Sequence, residues 1–582
     1  MIENNTLIRL FKYIGKNKKL LIFAIVCAII SVISSLIGPI LIGKSIDKMI
    51  GEGQVDINNV VNILVILAIV YGVGCLFTWL LTYLTNGISY KTVNLLRKDL
   101  FDKINNLSLK FYDNNPHGDT ISRFINDIDA IGDGMLQGIA TLLTGIITII
   151  GSIGFMLSIN PLMTLVVLLS APFTFFVARF VTTRSQKYFK DQAKELGDLN
   201  GYVEEIITGQ KTVKAFNYEE KSFKSFKGIN ERLYKAGVKS QFFGSLANPS
   251  TRLVNNIAYS IIGIAGSIIA IMGKITVGDI SSFLIYSNLF SKPFNEITGV
   301  FTQIQTAIAS ATRIFKILDM EEEVQDRDNV IEFKDCKGNI EFKDVEFSYT
   351  SKNKLITNLN MSIKQGSRVA IVGKTGAGKT TLVNLLMRFY EVDNGSILID
   401  GVDINNLSRD RLRKSFGMVL QETFLFSDTI ANNISYGKPN ATKEEIIKAA
   451  KAVGAHGFIR RLPKGYDTVI SGTGDNLSQG QKQLLTIARV MLVDPPMLIL
   501  DEATSNIDTR TEIHIQKAFQ KMMEGRTSFI IAHRLSTIKE ADMILVMENG
   551  NIVEQGNHEE LLKIKGFYSK LYNSQFPAKN VM

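Results

Sequence analysis

Long apolar stretches fill the first half of this 582-residue chain, whereas the second half alternates short apolar and polar segments. A helix needs about 20 apolar residues to cross the hydrocarbon core of a bilayer. Six stretches meet this requirement. We therefore predict membrane-spanning helices at residues 20–42, 60–84, 135–159, 162–181, 254–272 and 280–302. Only Asn160 and Pro161 separate the third stretch from the fourth, which predicts a tight external hairpin. Because further spans follow the first, we expect no cleavable signal peptide.

The segments between spans two and three and between spans four and five are long, charged and compatible with helix. We predict that the helices continue out of the membrane and double back near residues 111–117 and 216–220. Two ordinary cytoplasmic loops are the alternative. Unstructured loops of this length are uncommon, which favours the helical prediction.

Charge predicts the orientation of the chain. Basic residues precede the first span and place the N-terminus in the cytoplasm; they are Arg9, Lys12, Lys16, Lys18 and Lys19. Six crossings return the second half of the chain to the same side of the membrane. The net charge of +10 comes from basic residues scattered beside apolar stretches, so we expect contact with anionic lipid and no nucleic acid partner. Three cysteines without metal-ligand spacing indicate neither zinc nor disulfides.

Beyond an acidic segment at residues 321–328, the pattern changes to short β-branched strands alternating with helical segments. This alternation is typical of an α/β nucleotide-binding domain. We predict a membrane domain at 1–318, a linker at 319–337 and a cytoplasmic α/β domain at 338–582. The predicted fold class is an all-α membrane domain of six long helices fused to a phosphate-loop nucleotide-binding domain.

The sequence GKTGAGKTT at residues 373–381 fits the phosphate-binding pattern G-x-x-x-x-G-K-[ST]. An apolar strand precedes it, and a helix is predicted to begin near Lys379. In this context backbone N–H groups and the helix N-terminus face phosphate oxygens, and a glycine-rich turn without a ligand is disfavoured. Lys379 is expected to reach the β and γ phosphates, and Thr380 to bind Mg²⁺. The predicted ATP contacts in this loop are Gly373, Lys374, Thr375, Gly376, Ala377, Gly378, Lys379, Thr380 and Thr381.

Two adjacent carboxylates follow a second apolar strand, in the sequence LILDEATSNID. Asp501 ends that strand and is predicted to bind Mg²⁺, whereas Glu502 is predicted to polarise the attacking water. Phosphoryl transfer depends mainly on positioning and charge stabilisation, which such residues supply.

The order of LSQGQ at residues 477–481, KQLLTIAR and LILDEATSNID resembles the ATP-binding cassette (ABC) family. With six spans ahead of the cassette, nearly the whole chain resembles an ABC exporter half-transporter. The resemblance implies that Gln421 senses Mg²⁺ and the γ phosphate. It also implies that His533 contacts the γ phosphate and that Tyr349 stacks on adenine.

The resemblance further implies a dimer in which each ATP lies between the phosphate loop of one cassette and the LSGGQ-type loop of another. Ser478, Gly480 and Gln481 would then bind the partner's ATP, and Asp508 would lie at the dimer seam. Two positions depart from the family pattern: Gln479 replaces the usual glycine, and Gly472 replaces a usual glutamate. Both serve the opposite subunit. The departures favour one half of a heterodimer with unequal ATP sites over a tolerated variant in a homodimer.

Polar residues inside predicted spans are costly and mark candidate cargo contacts; they are Arg252, Asn255, Asn256, Asn295 and Glu296. Phe77, Trp79 and Tyr83 offer aromatic surface to an amphipathic cargo, or else face lipid or pack between helices.

We expect ATP-driven export of an amphipathic small molecule, lipid or peptide by alternating access. The alternatives are a homodimeric exporter or lipid flippase, and an ATP-gated channel or regulatory subunit. A soluble nucleic-acid-associated ABC ATPase is disfavoured by the six spans.

Overall fold

A computed structural model describes residues 2–50, 55–326, 331, 336–350, 354–421, 423–470, 476–501, 509–531 and 538–575. The chain divides into two compact units. The first comprises Met1–Asn105 and Pro116–Met320, and the second comprises Asn106–Asn115 and the chain from Glu321 onward. The short segment 106–115, which we expected within the membrane domain, thus groups with the second unit. The exact domain limits stay a prediction.

Among its described residues, the first unit contains helices and no strand. Its helices are α1 (Ile2–Gly15), α2 (Lys18–Asp47), α3 (Ile57–Asn105), α5 (His117–Ser122), α6 (Ile128–Ile159), α7 (Pro161–Thr208), α8 (Gln210–Ala215), α9 (Glu219–Ser245), α10 (Ala247–Ile271) and α11 (Val277–Leu318). One turn of π-helix joins α5 to α6. Helix α4 (Leu109–Asn114) belongs to the second unit.

Four described helical segments are long and apolar enough to cross a membrane: Lys18–Asp47, Ile57–Asn105, His117–Ile159 and Arg252–Ile271. They contain the first, second and third predicted spans, and all of the fifth except Met272. The fourth and sixth predicted spans fall within the long helices α7 and α11. The count of six spans therefore stays a prediction.

Helix breaks occur where the sequence predicted them. Asn160 alone separates α6 from α7, and its side chain accepts from the N–H groups of Leu162 (3.0 Å) and Met163 (3.2 Å). This cap satisfies N–H groups that a helix N-terminus leaves without an intrahelical acceptor. The two charged segments are helical and double back beside α4 and after α8, as predicted.

Helices α2 and α11 lie in close backbone contact within the first unit. A Cβ atom on Gly43 would come within 2.5 Å of the Gly278 carbonyl oxygen, so only a residue without a side chain fits there. Ser282 donates to the Pro39 carbonyl at 2.8 Å. Small residues that allow such an approach are a common means of packing helices in membranes.

The second unit contains two sheets. Its strands are β1 (Ile340–Phe347), β2 (Ile356–Ile363), β3 (Arg368–Val372), β4 (Asn394–Ile399), β5 (Val402–Asp403), β6 (Phe416–Val419), β7 (Met497–Asp501), β8 (Thr527–Ile531), β9 (Met543–Glu548) and β10 (Asn551–Gly556). The smaller sheet has the order β2-β1-β4-β5, and the larger has the order β10-β9-β3-β8-β7-β6.

Nine described helices accompany these sheets besides α4. They are α12 (Lys379–Leu386), α13 (Arg409–Lys414), α14 (Ile430–Ser435), α15 (Lys443–Ala452), α16 (His456–Ile459), α17 (Gln479–Val493), α18 (Thr509–Met523), α19 (His558–Ile564) and α20 (Phe567–Gln575).

The central strands of the larger sheet are buried on both faces. Successive residues of β7 enter different apolar clusters: Leu498 and Leu500 pack in one, Met497 and Ile499 in the other. Strands buried on both faces are typical of parallel sheets, and β3, β8, β7 and β6 pair in parallel here. Their carboxyl ends therefore meet at one edge, where ligands bind in open α/β sheets.

Candidate nucleotide-binding site

The phosphate loop connects the carboxyl end of β3 to the N-terminus of α12. Gly376 and Gly378 have φ angles of +84° and +99°, which residues with a Cβ atom rarely adopt. A Cβ atom on Gly373 would lie 2.5 Å from the Met547 carbonyl oxygen of β9. The Gly550 N–H also donates to the Ala377 carbonyl at 3.0 Å, which fixes the loop against the β9–β10 turn. The sequence pattern thus has the strand–loop–helix context that phosphate binding requires.

Lys379 is the first residue of α12 and is half-buried at this loop. Its Nζ atom donates to the carbonyl oxygens of Gly373 (2.7 Å) and Lys374 (3.1 Å). Burial lowers the pKa of Lys379, and the charge of Asp501 opposes that shift. A partly desolvated ammonium interacts more strongly with phosphate than an ammonium in bulk water does.

The parallel register brings Asp501 and Gln421 to the same edge as the loop. Asp501 is the last residue of β7, and Leu500 pairs with Val419 of β6, two residues before Gln421. Thr380 is exposed in the first turn of α12.

This donor set fits Mg²⁺. A hydroxyl, a carboxylate and an amide supply the oxygen ligands that Mg²⁺ prefers, and Mg²⁺ usually binds through one or two carboxylates plus phosphates.

Tyr349, the predicted adenine contact, lies beside α12. Its hydroxyl donates to Thr381 Oγ1 at 3.2 Å, and Asn384 Nδ2 donates to the same hydroxyl at 3.3 Å. Tyr390 packs edge-on against its ring at 4.9 Å between centroids. Thr381 and Ala377 are themselves buried. Tyr349 keeps 36% of its surface exposed, enough to offer a ring face to a base.

We predict that Tyr349→Ala weakens ATP binding by about 5- to 150-fold, because stacking of a base on an aromatic ring contributes ~1–3 kcal/mol. Tyr349→Phe keeps the ring and loses only the hydroxyl bonds, so we expect a loss of about two- to fivefold. Calorimetric titration with ATP and with base-free tripolyphosphate checks both. Tripolyphosphate affinity should not change, and wild-type ATP affinity in the alanine variant would exclude Tyr349 as the base platform.

Tyr390 is a neighbour of Tyr349 that the sequence analysis did not identify. Its hydroxyl donates to the carboxylate of Asp113 in α4. Burial and then this carboxylate raise the pKa of Tyr390. The only sequence signal was the position of Asp113 within the predicted turn at 111–117.

The LSQGQ sequence begins helix α17. Ser478 is its N-cap, and the side chains of Ser478 and Gln481 each accept from the other's backbone N–H, at 3.3 and 3.0 Å. This capping box leaves an exposed helix N-terminus, a favourable place for an anion. Gly480 is buried. Gln479 is exposed, and its Nε2 donates to Thr423 Oγ1, two residues after Gln421, at 3.2 Å.

Four residues singled out in the sequence lie outside the described residues: Glu502, Asp508, His533 and Gly472. Their roles stay predictions. Glu502 directly follows Asp501 in the chain.

Comparison with known families supports the same interpretation. Residues 21–294 match the family described as ABC transporter transmembrane region, and residues 356–505 match the family described as ABC transporter. The ABC transporter ATP-binding protein YfiC of Bacillus subtilis is 43% identical over 571 residues, covering 98% of this chain and 94% of that protein. The chain belongs to the ABC exporter family.

Other ABC relatives have more specific names. A fatty acid ABC transporter ATP-binding/permease protein of Mycobacterium bovis is 43% identical, covering 90% of this chain and 82% of that protein. An ATP-dependent lipid A-core flippase of Syntrophus aciditrophicus is 36% identical, covering 96% and 92%. The solved structure of a bacterial Atm1-family ABC exporter with ATP bound superposes with a TM-score of 0.78 at 29% identity, covering 97% of this chain and 99% of that one.

These findings confirm an ABC exporter half-transporter: a multi-pass membrane protein whose cassette binds ATP and whose ATPase activity is coupled to transport. ABC exporters work as dimers in a membrane. This chain therefore acts as one half of such a dimer.

The candidate cargo residues of this ABC exporter half have different environments. Trp79 and Tyr83 stack on each other at 6.0 Å and are 65% and 67% exposed on α3. Lys292 pairs with Glu296 at 3.6 Å one turn away on α11. Arg252 and Asn256 are exposed at the start of α10, and Asn255 and Phe77 are half-buried. The side chain of Asn295 lies outside the described part of the chain.

Proposed function

We propose that this chain exports an amphipathic small molecule, lipid or peptide across the cytoplasmic membrane by alternating access. The phosphate loop and Lys379, at the carboxyl edge of the larger sheet, carry the proposal because they bind the energy source. Relatives named for fatty acid transport, lipid A-core flipping and multidrug export support an apolar or amphipathic cargo. In this proposal the N-terminus and the cassette lie in the cytoplasm.

The proposed cycle begins when the phosphate loop and Tyr349 bind ATP on one cassette. Ser478 and Gly480 of the other cassette close on the same nucleotide, with Asp508 at the seam. Mg²⁺, held by Thr380, Gln421 and Asp501, neutralises phosphate charge when bound. Glu502 orients the attacking water, and His533 contacts the γ phosphate. ATP favours the closed state because that state provides contacts from both cassettes.

Reconstituted transporter tests the cargo class. We expect ATP-dependent uptake into inside-out vesicles for at least one of three probes: palmitate, a fluorescent phospholipid or an amphipathic cationic dye. The same probe should stimulate ATP hydrolysis. ATP hydrolysis without uptake of any lipid, dye or hydrophobic peptide would favour a channel or regulatory subunit. Release of the chain from membranes by buffer without detergent would contradict the membrane assignment itself.

We further propose that the partner is a different half-transporter. The family resemblance assigns the positions of Gln479 and Gly472 to the partner's ATP site, and both depart from the family pattern, whereas Lys379 and Asp501 keep the family's residues. The Gln479–Thr423 bond supports the proposal. It shows a polar side chain at the N-terminus of α17, at a position where the family usually has glycine. A stable, fully active dimer of the purified chain alone would contradict it.

Replacing Gln479 tests how this side chain weakens the facing site. We expect Gln479→Gly to raise ATP hydrolysis by the isolated chain about two- to fivefold. Removing the side chain lets the N-terminus of α17 come closer to the phosphate, and the gain is about that of one hydrogen bond. Thr423→Val is the matched control: it removes the bond to Gln479 and keeps the bulk. Equal activation by both variants would assign the effect to the bond. No activation by Gln479→Gly would show that the glutamine is tolerated.

A further inference from the structure

An acidic segment follows α11 in the second unit and contacts a group of arginines. Arg413 pairs with Glu323, with its Nη1 at 3.3 Å. Asp326 accepts from both the backbone N–H (3.0 Å) and the Nη1 (2.9 Å) of Arg409. Glu391 also pairs with Arg409. The segment that the sequence suggested as a plain linker is therefore held at two positions, Glu323 and Asp326.

Arg388 connects α12, the helix that follows the phosphate loop, to this group of charged residues. It lies two residues after α12 and is 4% exposed. Its Nη1 lies 3.4 Å from Asp326 and donates to the carbonyls of Ile404 and Leu407, while its Nε donates to Glu391 at 3.0 Å. A buried charge of this kind requires partners, because an unpaired one is strongly destabilising. Asp326 is one of those partners.

The other side of the acidic segment contacts the residues between α3 and α4. The Glu323 N–H donates to the Asn106 carbonyl at 2.9 Å, and Glu322 forms an antiparallel bridge with Leu107. Tyr390, two residues after Arg388, bonds to Asp113. The end of the phosphate-loop helix is thus connected to two segments that continue covalently into α3 and α11.

We propose that Arg388, Arg409, Arg413, Glu323, Asp326 and Glu391 form an ionic clamp that couples ATP binding to the membrane helices. They are positioning residues, since none touches the reacting phosphate. A shift of α12 on ATP binding moves Arg388, and the clamp carries that shift to the segments leading into α3 and α11. Partly buried ion pairs with several hydrogen bonds suit this role. Separating one partner from the other leaves a desolvated charge, so the paired residues tend to move together. Exposed pairs contribute much less.

Hydrogen–deuterium exchange on the membrane-reconstituted full-length transporter tests the clamp. Peptides from residues 106–115 and from α3 and α11 are compared with and without Mg²⁺ and the non-hydrolysable analogue AMP-PNP. For Glu323→Gln/Asp326→Asn we expect the nucleotide-induced difference to become at least about fivefold smaller, the lower range of allosteric coupling. AMP-PNP affinity should stay within about twofold, because both acids lie outside the phosphate loop.

Asp410→Asn is the matched control. It removes an acid from the same helix as Arg409 and Arg413, but its bond with Lys414 is exposed, so the wild-type exchange difference should persist. An undiminished difference in the double variant, or no nucleotide-induced difference in the wild type, would overturn the clamp as a coupling element. If the wild-type protein did not bind AMP-PNP at all, that result would instead contradict the proposed ATP site.

A double-mutant cycle separates coupling from a loss of folding. If Glu323 and Arg413 act as one pair, Glu323→Gln/Arg413→Gln should impair the exchange response no more than the worse single variant. Additive losses would show that the two side chains act independently and would contradict the clamp. Thermal unfolding midpoints of all variants identify any that merely fail to fold.

Discussion

Replacing Lys379 with methionine is expected to reduce ATP hydrolysis by about 10²–10³-fold, the effect of removing one well-placed charge-stabilising donor. Lys379 begins α12 and its Nζ lies at the phosphate loop, within hydrogen-bond distance of two loop carbonyls. Methionine is similar in length and favours helix, so α12 should persist. The variant therefore removes the charge while it preserves the loop geometry.

A phosphate-release assay on reconstituted transporter measures this loss. Lys364→Met is the matched control, because it removes an exposed lysine of the same unit that lies before β3. Its hydrolysis should stay close to that of the wild type. If Lys379→Met kept more than about a tenth of wild-type hydrolysis, other groups would carry the phosphate charge.

The nucleotide site was predictable because its chemistry lies in contiguous motifs and at strand ends. The phosphate loop needs fixed spacing, and Asp501 follows an apolar run, so both were recognisable without tertiary information. The roles of Ser478 and Gln481 in a capping box also follow from a local pattern. The binding of a partner's ATP by these residues does not follow from a local pattern, because it depends on a second subunit.

Contacts between distant parts of the chain were not predictable. Tyr390 and Asp113 are 277 residues apart, and Gln479 and Thr423 are 56 apart, so no periodicity relates them. The acidic segment after α11 resembled a solvated linker because charge runs usually are solvated. Its arginine partners come from two separate places, Arg388 after α12 and Arg409 and Arg413 on α13, which only the fold brings together.

The sequence predicts that the first domain consists of membrane-spanning helices more securely than it predicts how many spans there are. Apolar length identifies a helix that is able to cross a bilayer, and four described helical segments meet that criterion. In α7 and α11 apolar and polar residues share helices of 48 and 42 residues. Where such a helix leaves the membrane depends on its neighbours and on the second subunit as well as on sequence.

Replacing Glu502 with glutamine should abolish turnover while it preserves ATP binding. Glu502 follows Asp501, whose strand ends at the same edge of the sheet as the phosphate loop. A general base contributes about 10²–10⁴-fold to a hydrolytic rate, and glutamine cannot accept the proton. We therefore expect hydrolysis to fall by that factor, ATP affinity to stay within about twofold, and ATP-dependent uptake to disappear.

The decisive measurement compares Glu502→Gln with Glu524→Gln, an exposed glutamate of the same unit. Single-turnover hydrolysis reports the chemical step, and trapped ATP reports the closed dimer, which should accumulate only in Glu502→Gln. In a heterodimer with one weakened site, this single substitution should remove nearly all hydrolysis, because the remaining site is slow. In a homodimer the same substitution removes the base from both sites, so mixing variant and wild-type chains should restore part of the activity. Continued uptake by Glu502→Gln would show that another group polarises the water.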